Sequence, residues 1–136
     1  MILFKKINHI GIAVKKLEDS LPIFQDILDM KCATIEEVAD QKVKVACLPI
    51  GESEIELLES TSSEGSIARF IEKRGEGIHH IAFEVDNLKS VLEDLKKKGV
   101  QLIDQEPRHG AGGIRIAFLH PRSTNGILIE LCEHED

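Results

Sequence analysis

Gly77–Leu88 reads GIHHIAFEVDNL, and the part from Ile78 onward repeats Ile7–Leu17, INHIGIAVKKL, without a gap. His80 falls on His9 and Leu88 on Leu17. Each copy alternates large apolar residues with small ones and then turns to helical spacing, the pattern of a strand running into a helix. The far ends match too: Ile55-Glu56-Leu57 closes the first half and Ile129-Glu130-Leu131 the second. Before them stand VKVACLP from Val43 and IRIAFLHP from Ile114. A repeat occurring twice is a duplicated module, not a solenoid.

Working outward, Leu17, Leu21, Phe24, Ile27 and Leu28 predict a first helix, with Pro22 and Ser20 placing its regular part late. Strands are expected over Lys31–Val38, Val43–Ile50 and Glu54–Glu59, with a turn at Gly51-Glu52-Ser53. Thr61–Gly65 is the linker, followed by a short helix over Ser66–Lys73. The second copy predicts a strand over Ile78–Val85 and a helix capped by Asp86 or Asn87. That helix runs to Lys98, with Leu88, Val91, Leu92 and Leu95 inward and Gly99 at its end. Strands over Val100–Ile103, Ile114–Leu119 and Ile127–Cys132 follow, with a glycine-rich loop at Pro107–Gly113. The acidic tail Glu133–Asp136 is expected to fray.

The expected fold class is α+β: two tandem βαβββ modules forming a curled mixed sheet around a metal-binding groove. The modules cover about 1–60 and 77–136, joined by a linker helix at about 66–73, in a single domain of residues 1–136.

Composition narrows the function. A net charge of -7 with no Trp or Tyr excludes a general nucleic-acid binder, which needs a basic face and stacking rings. No apolar run reaches membrane-spanning length, and Lys5-Lys6 interrupts the start too early for a secretory signal. Cys32, Cys47 and Cys132 are odd in number and widely spaced, which reads as reduced thiols in a cytoplasmic protein.

Strand alternation decides what lines the groove. Ile10, Ile12 and Val14 face a helix, leaving His9, Gly11 and Ala13 on the other side. In the second copy Ile81, Phe83 and Val85 take the helix side, so His80, Ala82 and Glu84 face the groove and His79 points away. If Ile127 and Ile129 face the core, Glu130 and Leu128 face the groove, and Glu56 follows by the repeat. A lone histidine of this kind reads as a core residue with a hydrogen bond, and a lone strand-end glutamate as solvated. Four such residues in repeat-related pairs, His9 with Glu56 and His80 with Glu130, point to one divalent metal. The N and O donor set suits Co²⁺, Zn²⁺, Ni²⁺, Mn²⁺ or Fe²⁺ rather than Ca²⁺, with Co²⁺ the first expectation among them.

Nearly the whole chain resembles the vicinal oxygen chelate superfamily, the glyoxalase and dioxygenase fold. Within it the resemblance is to the methylmalonyl-CoA epimerase family. It is carried by NHIGIAV (Asn8–Val14), SIARFIEKRGEGIHHIAFEVDNL (Ser66–Leu88), LKKKGVQLIDQEPRHGAGG (Leu95–Gly113) and IAFLHP followed by GILIEL (Ile116–Leu131).

The resemblance implies His9, His80 and Glu130 as metal ligands and Glu56 at a fourth position that varies between Gln and Glu. It implies epimerisation of (R)- and (S)-methylmalonyl-CoA by 1,1-proton transfer through an enolate, with a metal acting as Lewis acid on the thioester and carboxylate oxygens. Glu130 is the first base candidate. Some relatives resemble a scheme with a second Glu on the strand that here reads Val43–Leu48, where this chain carries Lys44 and Val45 and no carboxylate. Glu56 is then the substitute, and Glu56→Gln is expected to keep metal while losing most epimerisation.

The partner that the resemblance implies is an acyl-CoA thioester, with Arg108, Arg115 and the backbone of Gly112 and Gly113 as the candidates to bind it. The resemblance also implies a homodimer. The alternatives are a glyoxalase I, whose His/Glu/His/Glu ligand set matches fully, a metal-free small-molecule binding protein of the same fold, and a dioxygenase.

Overall fold

The computed structural model describes Ile2 and residues 4–134. Its elements follow as β1 (Phe4–Ala13), α1 (Leu17–Pro22), β2 (Thr34–Val38), β3 (Val43–Ile50) and β4 (Ser53–Ser60). After α2 (Ser66–Arg74) come β5 (Gly77–Val85), α3 (Leu88–Lys97), β6 (Arg108–His109), β7 (Arg115–Leu119) and β8 (Ile129–Glu133). This is the βαβββ order twice, with α2 between. Two compact units emerge: His9–His79, and the residues through Asn8 with the chain from His80 onward.

In the His9–His79 unit the strands lie in the order β2-β3-β4-β1. β1 runs parallel to β4 with Gly11 opposite Glu56, and β3 runs antiparallel to β4 with Cys47 opposite Glu56. β2 pairs antiparallel with β3, placing Glu36 opposite Val45. Leu17 of α1, with Leu21 and Phe24, packs on Val14, Ala46, Leu48 and Leu57. By alternation Val45, Cys47, Glu56 and Leu58 then occupy the other face.

The second unit follows the same registers in the order β5-β8-β7-β6. β5 runs parallel to β8 with Ala82 opposite Glu130, β7 antiparallel to β8 with Phe118 opposite Glu130, and β6 antiparallel to β7 with Arg108 opposite Ile116. The repeat seen in the sequence is therefore a repeat of hydrogen-bond register.

Leu88, Val91, Leu92 and Leu95 of α3 are buried against Val85, Leu102, Ala117, Leu119 and Leu131. Asn87 caps the helix: its side chain accepts the Ser90 N–H at 3.3 Å. Leu92 is 1% exposed. Leu92→Ala is expected to cost about 2–5 kcal/mol of stability, read from the midpoint of urea unfolding.

Several expectations are corrected. The regular part of the first helix precedes Pro22 instead of following it. Pro22 has no N–H to donate, and the chain widens into a π-turn over Ile23–Ile27 in which the Leu28 N–H donates to the Ile23 carbonyl at 3.1 Å. At the end of that turn Ile27 and Leu28 leave the apolar stripe, 71% and 56% exposed. Lys31–Ala33 precede β2 instead of belonging to it.

Val100–Ile103 is no strand: it makes one antiparallel bridge, Leu102 to Leu119. The Pro107–Gly113 loop contains the short β6. Ile127 precedes β8 and is half exposed, so Ile129 alone of the pair packs on the α3 core. Glu133 ends β8, where its carboxylate accepts the Leu88 N–H at 3.3 Å, so the tail does not fray from that residue. Glu135 and Asp136 lie outside the described residues.

Candidate metal centre

Each unit carries one buried histidine–glutamate pair. His9 Nε2 lies 3.4 Å from Glu56 Oε1, and His80 Nε2 lies 3.2 Å from Glu130 Oε1. All four residues are buried. The cause is local and the same twice. The histidine stands two residues before the small residue, Gly11 or Ala82, that faces the glutamate across a parallel strand pair. Residues two apart share a face, and the missing side-chain bulk at Gly11 and Ala82 leaves the carboxylate room to lean towards the ring. His80 also packs edge-on against Phe118, with centroids 5.6 Å apart.

The pairs fit the donors of a divalent ion. Two ligand atoms about 2.1 Å from one ion and about 90–109° apart are themselves about 3.0–3.4 Å apart, which spans the two separations observed. His9, Glu56 and His80 are all buried groups of the kind that bind metal. Thiolate chemistry on this face is disfavoured. Burial pushes the Cys47 thiol up to about 12, helped by the hydrogen bond to Glu54 and by the nearby charges of Glu54 and Glu56. Cys47 therefore stays a protonated thiol at neutral pH.

The other expected residues divide. Arg108 stands on the face of Ile116 and Phe118, its guanidinium over the Phe118 ring at 5.6 Å and its Nε 3.3 Å from Asp104 Oδ1. Gly112 and Gly113 have φ of +73° and +74°, and a Cβ at either would meet open space. Gly110 instead serves packing, since a Cβ there would come within 2.6 Å of Ile116 Cγ2. Arg115 alternates with Ile116 onto the α3 side of its sheet, where its Nη1 lies 4.0 Å from Glu133 Oε1, so it does not share the face of His80. His79 points away from that face, as expected, and packs edge-on against Phe70.

Glu84, to which the sequence assigned a face but no role, is buried beneath basic side chains. Lys5 Nζ lies at 3.5 Å, Lys6 Nζ at 4.0 Å and His134 Nε2 at 3.0 Å, and the Asn8 amide donates at 3.3 Å. Glu36, on the Val45 face of β2, was not singled out by the sequence at all, because that face is set by pairing across strands and not by the TIEEV pattern itself.

Comparison with known proteins agrees with this arrangement. A model of the Glyoxalase/Bleomycin resistance protein/Dioxygenase superfamily matches residues 8–118. The ethylmalonyl-CoA/methylmalonyl-CoA epimerase of Cereibacter sphaeroides is 34% identical over 128 residues, 93% of this chain and 96% of that one. A solved structure of a hypothetical protein from Bacillus halodurans is 50% identical with a TM-score of 0.94, covering 96% of this chain and 95% of that one. A Streptomyces coelicolor methylmalonyl-CoA epimerase variant, solved with 2-nitronate-propionyl-CoA, is 34% identical with a TM-score of 0.93 over the same shares. The chain belongs to the Glyoxalase/Bleomycin resistance protein/Dioxygenase superfamily.

Proposed function

We propose that this protein is a methylmalonyl-CoA epimerase whose two His–Glu pairs hold one divalent ion, with residues 1–136 acting as a single domain. The observation that carries the site is the doubled pair: the same residues, in the same strand register, at 3.4 and 3.2 Å. The likeness to named epimerases supports the reaction. His9, His80 and Glu130 are the ligands, with Glu56 as the fourth. Co²⁺ is the first choice, followed by Zn²⁺, Mn²⁺, Ni²⁺ and Fe²⁺. A divalent ion there supplies a Lewis acid for the oxygens of a thioester and its neighbouring carboxylate.

The chain's own residues do the rest. The C–H between thioester and carboxylate is acidic because its anion delocalises as an enolate, and Glu130 moves that proton on one face. Burial of the four side chains keeps bulk water from their donor atoms. Arg108, with its planar fork held by Asp104, receives a carboxylate or phosphate of the acyl-CoA. Gly112 and Gly113 offer backbone N–H groups where no side chain intervenes, and Arg115 supports the phosphates from farther off. The protein works as a homodimer in the cytoplasm. Three cysteines without a disulfide suit a reducing compartment. Among the described residues no helix is long and apolar enough to cross a membrane.

The test is proton NMR of (R)- or (S)-methylmalonyl-CoA in D₂O with metal-loaded protein. Deuterium entering at C2 together with loss of optical purity is expected. Formation of S-lactoylglutathione from the glutathione hemithioacetal, with no exchange at C2, would move the assignment to glyoxalase I. Neither reaction, with no metal bound, would favour a binding protein of this fold.

A further inference from the structure

We infer that Cys47 sets the size of the 2-alkyl group this site accepts, while Phe118 closes the equivalent place in the other unit; this rests on the epimerase reading above. The substrate class is then the 2-alkylmalonyl thioesters with a short alkyl chain, of which the methyl compound is one member.

The substrate carries four groups at its reacting carbon. The thioester and carboxylate oxygens are committed to a cation, and the hydrogen to proton transfer. The alkyl group is left, and it needs an apolar wall beside the ligands. Both epimers pass through one planar enolate. The alkyl group therefore has one place in the transition state whichever epimer enters, and a wall there acts on both directions of the reaction.

Strand register names the residues next to the ligand carboxylates. Glu56 faces Gly11 on one side and Cys47 on the other, and Glu130 faces Ala82 and Phe118. Gly11 and Ala82 are alike, and the room they leave is taken by the glutamates leaning towards their histidines. Cys47 and Phe118 are equivalent in the repeat and differ greatly in bulk. Each lies about 4.5–5.5 Å from its glutamate, Cβ to Cβ.

Phe118 fills its place. Its ring is 8% exposed, set edge-on to His80 and covered by the Arg108 guanidinium. Cys47 is small and only half-buried. Beyond it, on β2, stands Thr34, also small and exposed. One pair along the same face, Val45 and Leu58 are apolar and buried. On the other side the Cys47 thiol donates to Glu54. Its sulfur then offers a substrate no donor and acts as a small apolar surface.

The unfilled apolar wall beside a ligand is therefore at Cys47, continuing to Val45 and Leu58. A methyl or ethyl group laid over Cys47 towards those two meets apolar side chains. A larger residue at position 47 would fill that space, as Phe118 does in the other unit.

Cys47→Ala and Cys47→Leu are the tests, each assayed with methylmalonyl-CoA and ethylmalonyl-CoA. In Cys47→Ala the ratio of kcat/KM for the ethyl over the methyl compound is expected to rise about tenfold or more above wild type, the effect of one methylene in an apolar pocket. In Cys47→Leu the ratio is expected to fall about tenfold or more. Metal content, measured by elemental analysis, should be unchanged in both. Calorimetric titration with each racemic thioester should give the same order in affinity, apart from turnover. Cys32→Ala should keep the wild-type ratio, since Cys32 packs on the α1 core. An unchanged ratio in both Cys47 variants overturns the assignment, as does an equal change in Cys32→Ala. A wild-type protein that epimerises neither thioester removes the epimerase reading itself, and this role of Cys47 with it.

Discussion

Glu130→Gln is expected to lower kcat for epimerisation by about 10²–10⁴ while the protein keeps its fold. Glutamine has the shape of glutamate, so the buried place between Ala82 and Phe118 stays filled. Its amide oxygen can still donate a lone pair to a cation beside His80. It cannot accept a proton from carbon, because an amide is far too weak a base. Metal content should therefore fall much less than kcat, and KM should change little. Steady-state kinetics with elemental analysis of the same sample checks this. Near-full activity with metal retained would remove Glu130 from proton transfer and leave it a ligand only.

Loading the apoprotein with Co²⁺ at about a hundred times its dissociation constant should stabilise it by about 2.7 kcal/mol. For a chain of this length that corresponds to a rise in Tm of roughly 9 °C. The gain arises because the folded chain alone presents the two buried pairs, while the unfolded chain scatters His9, Glu56, His80 and Glu130 along the sequence. In His80→Ala the shift should largely vanish, since one pair loses its nitrogen donor and Glu130 is left buried without its ring partner. Each Nε2 proton must leave before the nitrogen can bind a cation, so the shift should grow as pH rises. Differential scanning calorimetry with and without Co²⁺ decides the point. An equal shift in wild type and His80→Ala would place the ion elsewhere.

The two pairs were legible in the sequence because they depend on local period and on duplication. His9 and His80 fall on the small-residue side of strands whose partners, Ile12 and Val85, must be buried under helices. Glu56 and Glu130 follow from matched strand ends. α3 was equally plain, since its apolar spacing, its Asn87 cap and Gly99 all agree.

Other features were settled only by tertiary structure. Ile27 and Leu28 carry helical spacing, yet Pro22 forces a wider turn and they end in solvent. Val100–Ile103 has the composition of a strand, but it makes a single bridge with β7. Ile127 looks like a core residue and stops short of β8. Arg115 sits one residue from Ile116 and so lands on the α3 side, away from His80.

Glu36 is the clearest case. Nothing in TIEEV distinguishes Glu36 from Glu37, and the weakly matching sequences of β2 and β6 hide their equivalence. Pairing of β2 with β3 separates the two glutamates, sending Glu36 to the face of Val45 and Glu37 to that of Lys44. By itself, then, the sequence determined the duplication, the strand faces within each repeat and the two His–Glu pairs, because alternation and period are properties of neighbouring residues. Cross-strand register is fixed by hydrogen bonds between segments far apart in the chain, and a slip of one residue exchanges the faces, so only the tertiary structure decided which face each remaining charge takes.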